Sequence, residues 1–277
     1  MTLIVIGPVT RDLIITKDKK ESKTGGAVYF QSFVFEEFYP DYLILTNCSD
    51  RGLIKDFPDK NKVKLIEKDE THYFINDYPN NDDFRIQSSN FANIPITKKD
   101  LENILPKNID AFIINPLNAF DFPKETIDYL KSFNIPIYMS IQGFLRYSGE
   151  KIGDNYYSIK LKLTSDVKDI VCDIDGLFLD ESESLILFEK NDYKDFNINE
   201  IIITNGSKGS RVLADKEYQI QAVDCENIVD STGCGDTYTA AYISKKLTTQ
   251  SILESANFAS KISSDKLSFF GPFKRDI

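Results

Sequence analysis

Short, uninterrupted runs of apolar residues recur along the chain, and each is about as long as a β-strand. The runs are LIVI at 3–6, YLIL at 42–45, AFII at 111–114, IPIYM at 135–139, GLFL at 176–179 and III at 201–203. None of them alternates regularly between apolar and polar residues, which is typical of strands that are buried on both faces of a parallel sheet. The pattern therefore predicts the central strands of such a sheet.

Helical patterns fill the chain between these runs. TKKDLENIL at 97–105 opens with the Thr-x-x-Asp spacing of a helix N-terminus, and DFPKETIDYLKSF at 121–133 places Pro123 near a first helical turn. Strands that alternate with helices predict an α/β fold, in which helices cover both faces of a mainly parallel sheet.

Two segments, at about 9–24 and 62–92, do not follow this rhythm. They contain stretches that alternate between apolar and polar residues, and turn signals such as YPNNDD. We interpret them as antiparallel strands inserted into the α/β body, where they form a small β-sheet lid over a site. Two separate surface hairpins are the alternative. Because the chain has no internal repeat or linker, we predict a single domain over 1–277 with these two lid insertions.

The composition fits one large globular domain. Of the 277 residues, 42% are hydrophobic and 20 are phenylalanine, which is enough for a sizeable core. The net charge of −10 argues against a broad surface for nucleic acid, so we predict no nucleic-acid partner. This charge does not exclude an anionic substrate that a few local donors hold.

The four cysteines lie far apart, without any Cys-x-x-Cys spacing, so neither a disulfide framework nor a zinc site is expected. The first residues, MTLIVIGP, lack a basic leader, and their apolar run is too short to cross a bilayer. The sequence therefore predicts a cytoplasmic protein with reduced thiols and no membrane partner.

The segment DSTGCGD at 230–236 stands directly before TYTAAYISKKL, which has a helical pattern. The first N–H groups of a helix have no partner within the helix and, together with the helix dipole, bind anions well. Glycine lets the backbone turn sharply and approach a ligand closely. Asp236 could accept a proton from a hydroxyl that attacks a bound phosphate. The amide donors for that phosphate would come from Gly233, Cys234 and Gly235.

An ordinary helix N-terminus is the other interpretation of this segment. Ser231 or Thr232 would then cap the helix, and Asp236 would only complement its dipole. Composition alone does not decide between the two. Other nucleotide motifs are absent: the sequence has no Walker-type G-x-x-x-x-G-K-[ST], and a dinucleotide fingerprint would need a glycine where Tyr238 stands.

DSTGCGDTY at 230–238 resembles the C-terminal signature of the PfkB/ribokinase family of small-molecule kinases, usually D-[ST]-T-G-A-G-D. Three further segments resemble family motifs in the right order. They are the double glycine in TGGAVYF at 24–30, N-x-x-E at LDESE (179–183) and T-x-G-x-x-G in ITNGSKGS at 203–210. The resemblance implies a ribokinase-like fold with a small β-sheet lid, and an ATP-dependent phosphotransferase that uses Mg²⁺ and an alcohol acceptor.

The resemblance also implies roles for individual residues. Asp236 would be the catalytic base, and the anion hole would be formed by Gly233, Cys234 and Gly235. The nucleotide site would be lined by Thr204, Gly206 and Gly209. The magnesium site would include Glu183 and Asp180. The hydroxyls of the acceptor would be met by Asp12, Gly25 and Gly26.

Two positions depart from the family pattern within these motifs. Cys234 replaces the usual alanine, and its place at a helix N-terminus is expected to favour the reactive thiolate. Asp180 replaces the asparagine of N-x-x-E and adds an oxygen ligand suited to Mg²⁺.

The acceptor site departs from the ribokinase pattern as well. Phe30 occupies the position of the asparagine that grips the sugar in ribokinases, which argues against ribose. SIQGFLR at 140–146 resembles a segment of the inositol-kinase-like branch, with Ser140 in place of its aspartate. Gln142 and Arg146 could donate hydrogen bonds to a polyol, and Phe30 could pack against an apolar ring face. A simple turn after a strand is the alternative for this segment.

These features together predict an ATP-dependent kinase that phosphorylates a hydroxyl of a small polyol or sugar, with myo-inositol as the first choice. A nucleoside kinase of the same family, whose acceptor stacks on Tyr29 or Phe30, is one alternative. A catalytically silent relative that only binds a sugar or nucleotide is another. Free edges of the lid strands could pair between subunits, so either a monomer or a homodimer is expected.

Overall fold

Residues 1–79, 86–189 and 192–275 are described in a computed structural model of the chain. The strands in these ranges are β1 (Thr2–Ile6), β2 (Thr10–Thr16), β3 (Lys20–Gly25), β4 (Tyr42–Cys48), β5 (Val63–Glu67), β6 (His72–Tyr78), β7 (Ile86–Ser89), β8 (Ile109–Ile114), β9 (Ile137–Ser140), β10 (Arg146–Lys151), β11 (Tyr157–Leu161), β12 (Gly176–Asp180), β13 (Glu200–Thr204), β14 (Ser210–Leu213) and β15 (Glu217–Ile220). The α-helices are α1 (Ala27–Phe38), α2 (Lys98–Leu101), α3 (Lys124–Lys131), α4 (Ser165–Val171), α5 (Glu181–Leu187), α6 (Cys234–Thr249) and α7 (Ile252–Leu267). Short 3-10 turns lie at Arg51–Asp56, Lys60–Lys62, Gln142–Leu145, Tyr193–Phe196 and Gly206–Lys208.

Nine strands form the central sheet, in the order β15-β14-β13-β12-β9-β8-β1-β4-β5. The pairings from β13 to β5 are parallel, and the β13–β14 and β14–β15 pairings are antiparallel. Each apolar run that predicts a buried strand contributes to this sheet, as β1, β4, β8, β9, β12 and β13. The predicted α/β fold with a mainly parallel sheet is therefore confirmed.

Helices cover both faces of the central sheet, which explains why its strands do not alternate. On β1, Leu3 and Val5 pack into one core with residues of α1, α6 and α7. Ile4 and Ile6 pack into a second core with residues of α2 to α5. All four side chains are fully buried. Every position of such a strand leaves water on folding, so every position favours an apolar residue.

The two helices predicted between the strands form, but one is shorter than its pattern suggests. α2 begins with a capping box, in which Asp100 N donates to Thr97 Oγ1 and Thr97 N donates to Asp100 Oδ2. A turn follows Leu101, ahead of Pro106, which cannot continue a helix. α3 begins directly after Pro123. In the described ranges, no helix is both long enough and apolar enough to span a membrane.

The remaining six strands form a second sheet, the small sheet, in the order β10-β11-β7-β6-β2-β3. Of the segment predicted to insert at 62–92, β6 and β7 join the small sheet. In contrast, β5 pairs in parallel with β4 at the edge of the central sheet. Only Ile66 of β5 is buried, because β5 is an edge strand, and its mixed apolar and polar sequence therefore resembles that of a lid strand. Residues 80–85 of this segment, with part of YPNNDD, lie outside the described residues.

Two features of the small sheet differ from the prediction. β2 pairs with β6 in parallel, with Thr10 opposite His72, although the sequence predicts antiparallel strands in this region. A third segment, residues 146–161, supplies the antiparallel pair β10 and β11. The sequence does indicate strand β11: apolar and polar residues alternate in YYSIKL, and the turn residues GDN precede it. Arg146, predicted as an acceptor-binding residue, is thus the first residue of a strand of the small sheet.

Helix α6 is anchored to the central sheet by a buried carboxylate. Tyr242 Oη donates to Glu200 Oε2 at 2.6 Å, and Lys246 forms an ion pair with the same carboxylate. Tyr242 and Glu200 are both buried. The contact fixes the middle of α6 against β13, and thereby the direction in which its N-terminus points.

We expect Tyr242→Phe to lower the free energy of unfolding by about 1–3 kcal/mol, because the buried carboxylate loses a hydrogen-bond donor. Equilibrium urea unfolding measures this difference. Tyr218→Phe is the matched control, because Tyr218 Oη donates to Asp215 in an exposed hydrogen bond. The control should change the free energy by less than about 0.5 kcal/mol. Equal losses in the two variants would contradict the assigned contribution of Glu200.

Candidate active site

A cavity of about 450 Å³ opens between the carboxyl ends of the central strands and the small sheet. Ligands of open α/β folds bind at this end of the strands, and the volume is typical of a small-molecule site. Most of the predicted site residues line it: Asp12, Gly26, Phe30, Gln142, Arg146, Asp180, Glu183, Thr204, Gly233, Cys234, Gly235 and Asp236. The predicted residues that are not part of its lining are Gly25, Gly206 and Gly209.

The N-terminus of α6 faces the cavity through two glycines. Gly233 is the N-cap residue, with a φ of 76°, and no side chain of the described residues caps the helix. A Cβ on Gly233 would lie 2.3 Å from the ring of Phe30, whereas a Cβ on Gly235 would meet nothing within 4 Å. An ordinary helix start capped by Ser231 or Thr232 is therefore the wrong interpretation of this segment.

The amides at this helix start are not equivalent. Cys234 N donates to Ser231 O at 3.2 Å. Within the described part of the chain, the amides of Gly233 and Gly235 have no backbone acceptor. Together with the helix dipole, these two donors can bind an anion, and this candidate anion site faces the cavity. Asp236 follows on the first turn of α6 and lines the same cavity.

Cys234 does not have the reactive thiolate that its position suggests. Burial raises the pKa of its thiol to about 11, and the Lys266 ammonium offsets this effect only in part. Its Sγ lies 3.9 Å from Ser263 O on α7. The expectation from the sequence is wrong because the desolvation of the thiolate outweighs the effect of the helix N-terminus.

Asp180 and Glu183 form a capping box at the start of α5, beside the cavity. Glu183 N donates to Asp180 Oδ1 at 2.8 Å, and Asp180 N donates to Glu183 Oε2 at 2.9 Å. Burial, and then the Asp180 carboxylate, raises the pKa of Glu183 to about 7, while Arg146 and Gln142 act in the opposite direction. Glu183 therefore changes its charge close to neutral pH.

These two carboxylates suit a magnesium ion that phosphates help to hold. Within the described ranges, no group of three or more His, Cys, Asp or Glu side chains is placed to hold a metal ion. Mg²⁺ commonly keeps several waters and binds one or two carboxylates together with substrate phosphates. Asp180 and Glu183 fit that arrangement, and they do not fit a metal site made of protein ligands alone.

The small sheet contributes Asp12 to the cavity. Thr10 Oγ1 donates to Asp12 Oδ1 at 2.6 Å, and the two residues share one face of β2 because side chains alternate along a strand. A Cβ on Gly25 would lie 2.3 Å from Asp12 Oδ2. Gly25 therefore makes room for the carboxylate and does not line the cavity itself. Gly26 is the N-cap of α1, the helix that carries Phe30.

Of the predicted nucleotide-binding residues, Thr204 lines the cavity and the two glycines lie in the connection from β13 to β14. Asn205 N donates to Gly209 O at 2.8 Å, and Gly209 has a φ of 89°. A Cβ on Gly209 would lie 2.1 Å from Ile220 O, at the end of β15. Gly209 is therefore needed for the close approach of neighbouring backbones, and neither it nor Gly206 is brought into the cavity.

The cavity lining also includes residues beyond the predicted set: Thr10, Ala27, Phe74, Tyr78, Gln87, Leu117, Ser140, Phe178, Leu179, Ser231, Thr232 and Thr239. Thr10 could be found from the sequence, because it stands two residues before Asp12 in a strand. Gln87 reaches the cavity only because β7 pairs with β6, where its Nε2 donates to Asn76 Oδ1 at 2.8 Å. The antiparallel strands predicted at about 62–92 include this pairing, but that prediction does not single out Gln87 as a cavity residue.

A second cavity, of about 940 Å³, adjoins the first. The residues that line both are Asp12, Phe30, Tyr78, Ser231 and Thr232. The aromatic and apolar residues of the second cavity include Ile14, Tyr29, Ile228, Val229 and Phe270. The first cavity thus continues past Phe30 into a more apolar space.

Part of the chain is similar to a family of kinases. Residues 146–269 match the family model described as pfkB family carbohydrate kinase. The nucleoside kinase of Methanocaldococcus jannaschii is 35% identical over 66 residues, which are 24% of this chain and 22% of that protein. The match therefore spans less than a quarter of this curated relative.

Solved structures of ribokinase-family kinases share the fold over nearly the whole chain. A pyrophosphate-dependent kinase in this family, complexed with a pyrophosphate analogue and myo-inositol, has a TM-score of 0.82 and 23% identity, over 98% of this chain and 97% of that chain. The ribokinase of Arabidopsis thaliana, complexed with ribose and ATP, has a TM-score of 0.69 and 16% identity, over 98% and 93%. The chain has the ribokinase-like fold, and its resemblance to the PfkB/ribokinase family is confirmed.

The raised pKa of Glu183 makes the stability of the protein depend on pH. A carboxyl group with a higher pKa in the folded than in the unfolded chain binds more protons when folded. Its contribution to the free energy of unfolding therefore falls as the pH rises from the ordinary value of 4.5 to about 7, and then levels off.

Glu183→Gln removes this titration and keeps an oxygen that can accept from Asp180 N. Between pH 4.5 and pH 7, we expect the wild type to lose roughly 2–3 kcal/mol of unfolding free energy relative to the variant. Urea unfolding of both proteins at a series of pH values, without divalent ions, measures the difference. A difference that stays constant with pH would show that Glu183 does not titrate in this window.

Proposed function

We propose that the protein is a kinase that transfers a phosphoryl group to a hydroxyl of a small polyol or sugar, with myo-inositol as the first candidate acceptor. One observation carries the proposal: Asp236 and the two glycines that begin α6 line the same cavity as Asp12, Gln142 and Arg146. A proton acceptor, an anion site and several groups that can bind hydroxyls therefore surround one space.

In the proposed mechanism, Asp236 accepts the proton of the acceptor hydroxyl while the hydroxyl oxygen attacks the terminal phosphorus of the donor. The bond from this phosphorus to the leaving phosphate breaks, and the leaving group takes the electron pair. The amides of Gly233 and Gly235 stabilise negative charge on the transferred group. Asp180 and Glu183 would hold Mg²⁺, which neutralises charge on the donor phosphates. The small sheet limits the access of water to the reacting groups.

The polar lining of the cavity supports a polyol as the acceptor. Asp12 can accept hydrogen bonds from neighbouring hydroxyls, whereas Gln142 and Arg146 can donate to others. Phe30 lines the same cavity and offers an apolar surface to the ring of the acceptor. The pyrophosphate-dependent kinase that shares the fold was solved with myo-inositol, which supports the choice of this acceptor.

The first candidate donor is ATP with Mg²⁺, and pyrophosphate is the second. ATP is the donor that the family motifs imply, and the ribokinase of A. thaliana was solved with it. Two observations support pyrophosphate. The fold is shared with a pyrophosphate-dependent kinase at a TM-score of 0.82. In addition, Gly206 and Gly209, which the motif assigns to a nucleotide, lie outside the cavity lining.

A nucleoside is the second candidate acceptor, because the cavity continues into the adjoining apolar space. Tyr29, Tyr78 and Phe270 line that space and could contact a base. The sequence match to the nucleoside kinase of M. jannaschii supports this alternative. If a nucleoside bound with a sugar hydroxyl near Asp236, its base would lie on the far side of Phe30.

We expect Asp236→Asn to lower kcat by roughly two to four orders of magnitude, because it removes the proton acceptor and preserves the size of the side chain. The assay measures release of ADP from ATP, or of phosphate from pyrophosphate, with myo-inositol as acceptor. Asp265→Asn, at an exposed position of α7, is the control and should keep wild-type activity. Near-wild-type turnover of the Asp236 variant would refute the mechanism. A wild type that binds these ligands without any turnover would instead support the alternative of a silent binding protein.

Asp12→Asn should raise the KM for myo-inositol by about 5- to 100-fold and leave the KM of the donor unchanged. Loss of one charged hydrogen-bond partner in a buried site costs about 1–3 kcal/mol, which corresponds to this range. Glu21→Gln on the neighbouring strand β3, where the side chain is partly exposed, is the control. Steady-state kinetics with myo-inositol, ribose and a set of nucleosides completes the test. A nucleoside with a higher kcat/KM than myo-inositol would reassign the acceptor to the second candidate.

A further inference from the structure

A buried lysine lies behind the N-terminus of α6. Lys266, the penultimate residue of α7, has a fully buried side chain. Its Nζ donates to Asp230 O at 2.5 Å and lies 3.5 Å from Asp230 Oδ2. A lysine is rarely buried unless it is paired, and the mechanism described above gives this pair no role.

Asp230, the partner of this lysine, holds the loop that leads into α6. Its Oδ1 accepts from Thr232 N and its Oδ2 accepts from Gly271 N, each at 2.9 Å. Asp230 N donates to Leu267 O at 3.3 Å, at the end of α7. Burial opposes the charged carboxylate, but the amides of Gly271 and Thr232, together with Lys266, outweigh burial and hold the pKa of Asp230 below its usual value. The carboxylate is therefore ionised while it orients the loop.

An ionised carboxylate at this position would disfavour an anion in the cavity. Asp230 stands three residues before Gly233, whose amide belongs to the anion site. Like charges repel more strongly in a partly buried site than in water, because the effective dielectric constant is lower. The loop therefore needs the hydrogen bonds that the Asp230 carboxylate accepts. The negative charge of this carboxylate must be compensated if an anion is to bind nearby.

We infer that Lys266 is a positioning residue for phosphate binding: its ammonium neutralises Asp230, so that the carboxylate can orient the loop without repelling the phosphate. Lys266 is not part of the cavity lining, so it acts through the loop and not by contact with the donor. Its charge also favours the thiolate form of Cys234, the residue between the two glycines, so its field reaches the anion site. The inference rests on the proposed function, because the anion is a phosphate of the donor.

Binding of inorganic pyrophosphate, measured by isothermal titration calorimetry without Mg²⁺ or acceptor, tests the inference without turnover. Lys266→Gln keeps a donor for Asp230 O and removes the charge. We expect it to bind pyrophosphate about tenfold more weakly than the wild type. Lys68→Gln is the matched control, because Lys68 is also largely buried and paired with a carboxylate, that of Asp100 on α2. It should bind within about twofold of the wild type. Parallel titrations with ATP cover a nucleotide donor.

Lys266→Ala provides a second measurement, because it leaves a space that a small cation can enter. Ammonium chloride should restore its affinity for pyrophosphate several-fold above the value in tetramethylammonium chloride of equal ionic strength. The wild type should respond equally to the two salts. Urea unfolding of each variant in each salt separates a loss of anion affinity from a loss of folded protein.

Wild-type affinity in Lys266→Gln, or equal affinities of Lys266→Ala in the two salts, would overturn the inference and leave Lys266 as a structural contact. A wild type that binds neither pyrophosphate nor ATP would overturn it as well. A protein that shows the expected dependence on Lys266 but transfers no phosphoryl group to any acceptor would uphold the inference about anion binding and contradict the proposed function.

Discussion

The arrangement of the candidate site depends on one close contact, between the backbone of Gly233 and the ring of Phe30. The ring occupies the space that a side chain at position 233 would fill, 2.3 Å from its Cβ. Phe30 lies on the first turn of α1, which begins after Gly26, so the contact joins the two glycine motifs of the chain. Any larger residue at position 233 would displace the Phe30 ring. The same contact therefore directs the N-terminus of α6 at the cavity and forms the wall between the polar and the apolar spaces.

Close packing around α6 requires partners for the polar groups that are buried with it. Tyr242 and Lys246 pair with Glu200, Tyr238 Oη shares a hydrogen bond with Ser210 Oγ at 2.7 Å, and Lys266 pairs with Asp230. Each interaction offsets part of the desolvation of a polar or charged group. The amides of Gly233 and Gly235 differ from these groups in that, among the described residues, they have no backbone acceptor. An anion in the cavity could accept hydrogen bonds from both amides.

The sequence predicts those parts of the fold in which both faces of a strand are buried, because every position then carries the same apolar signal. It fails at sheet edges: β5 has a mixed apolar and polar sequence like that of a lid strand and yet pairs with β4 in the central sheet. The resemblance to the family motifs, above all DSTGCGD, names most of the predicted residues that line the cavity. The state of the Cys234 thiol and the packing around the hairpin glycine Gly209 could not be predicted, since desolvation by α7 and the approach of Ile220 depend on tertiary packing. Lys266 belongs to no motif and gains its partner only when α7 folds beside the loop.

The two sheets divide the chemistry of the site between them. The central sheet and α6 supply the groups proposed to bind phosphate, whereas β2 supplies Asp12, which is proposed to bind the acceptor. Arg146 connects the two, since it follows the 3-10 turn after β9 and begins β10 of the small sheet. Arg146 and Gln142 also favour the charged form of Glu183, whose pKa burial raises to about 7. The residues proposed to bind the acceptor therefore lie within electrostatic reach of a carboxylate proposed to hold Mg²⁺, so the two halves of the cavity share charged groups.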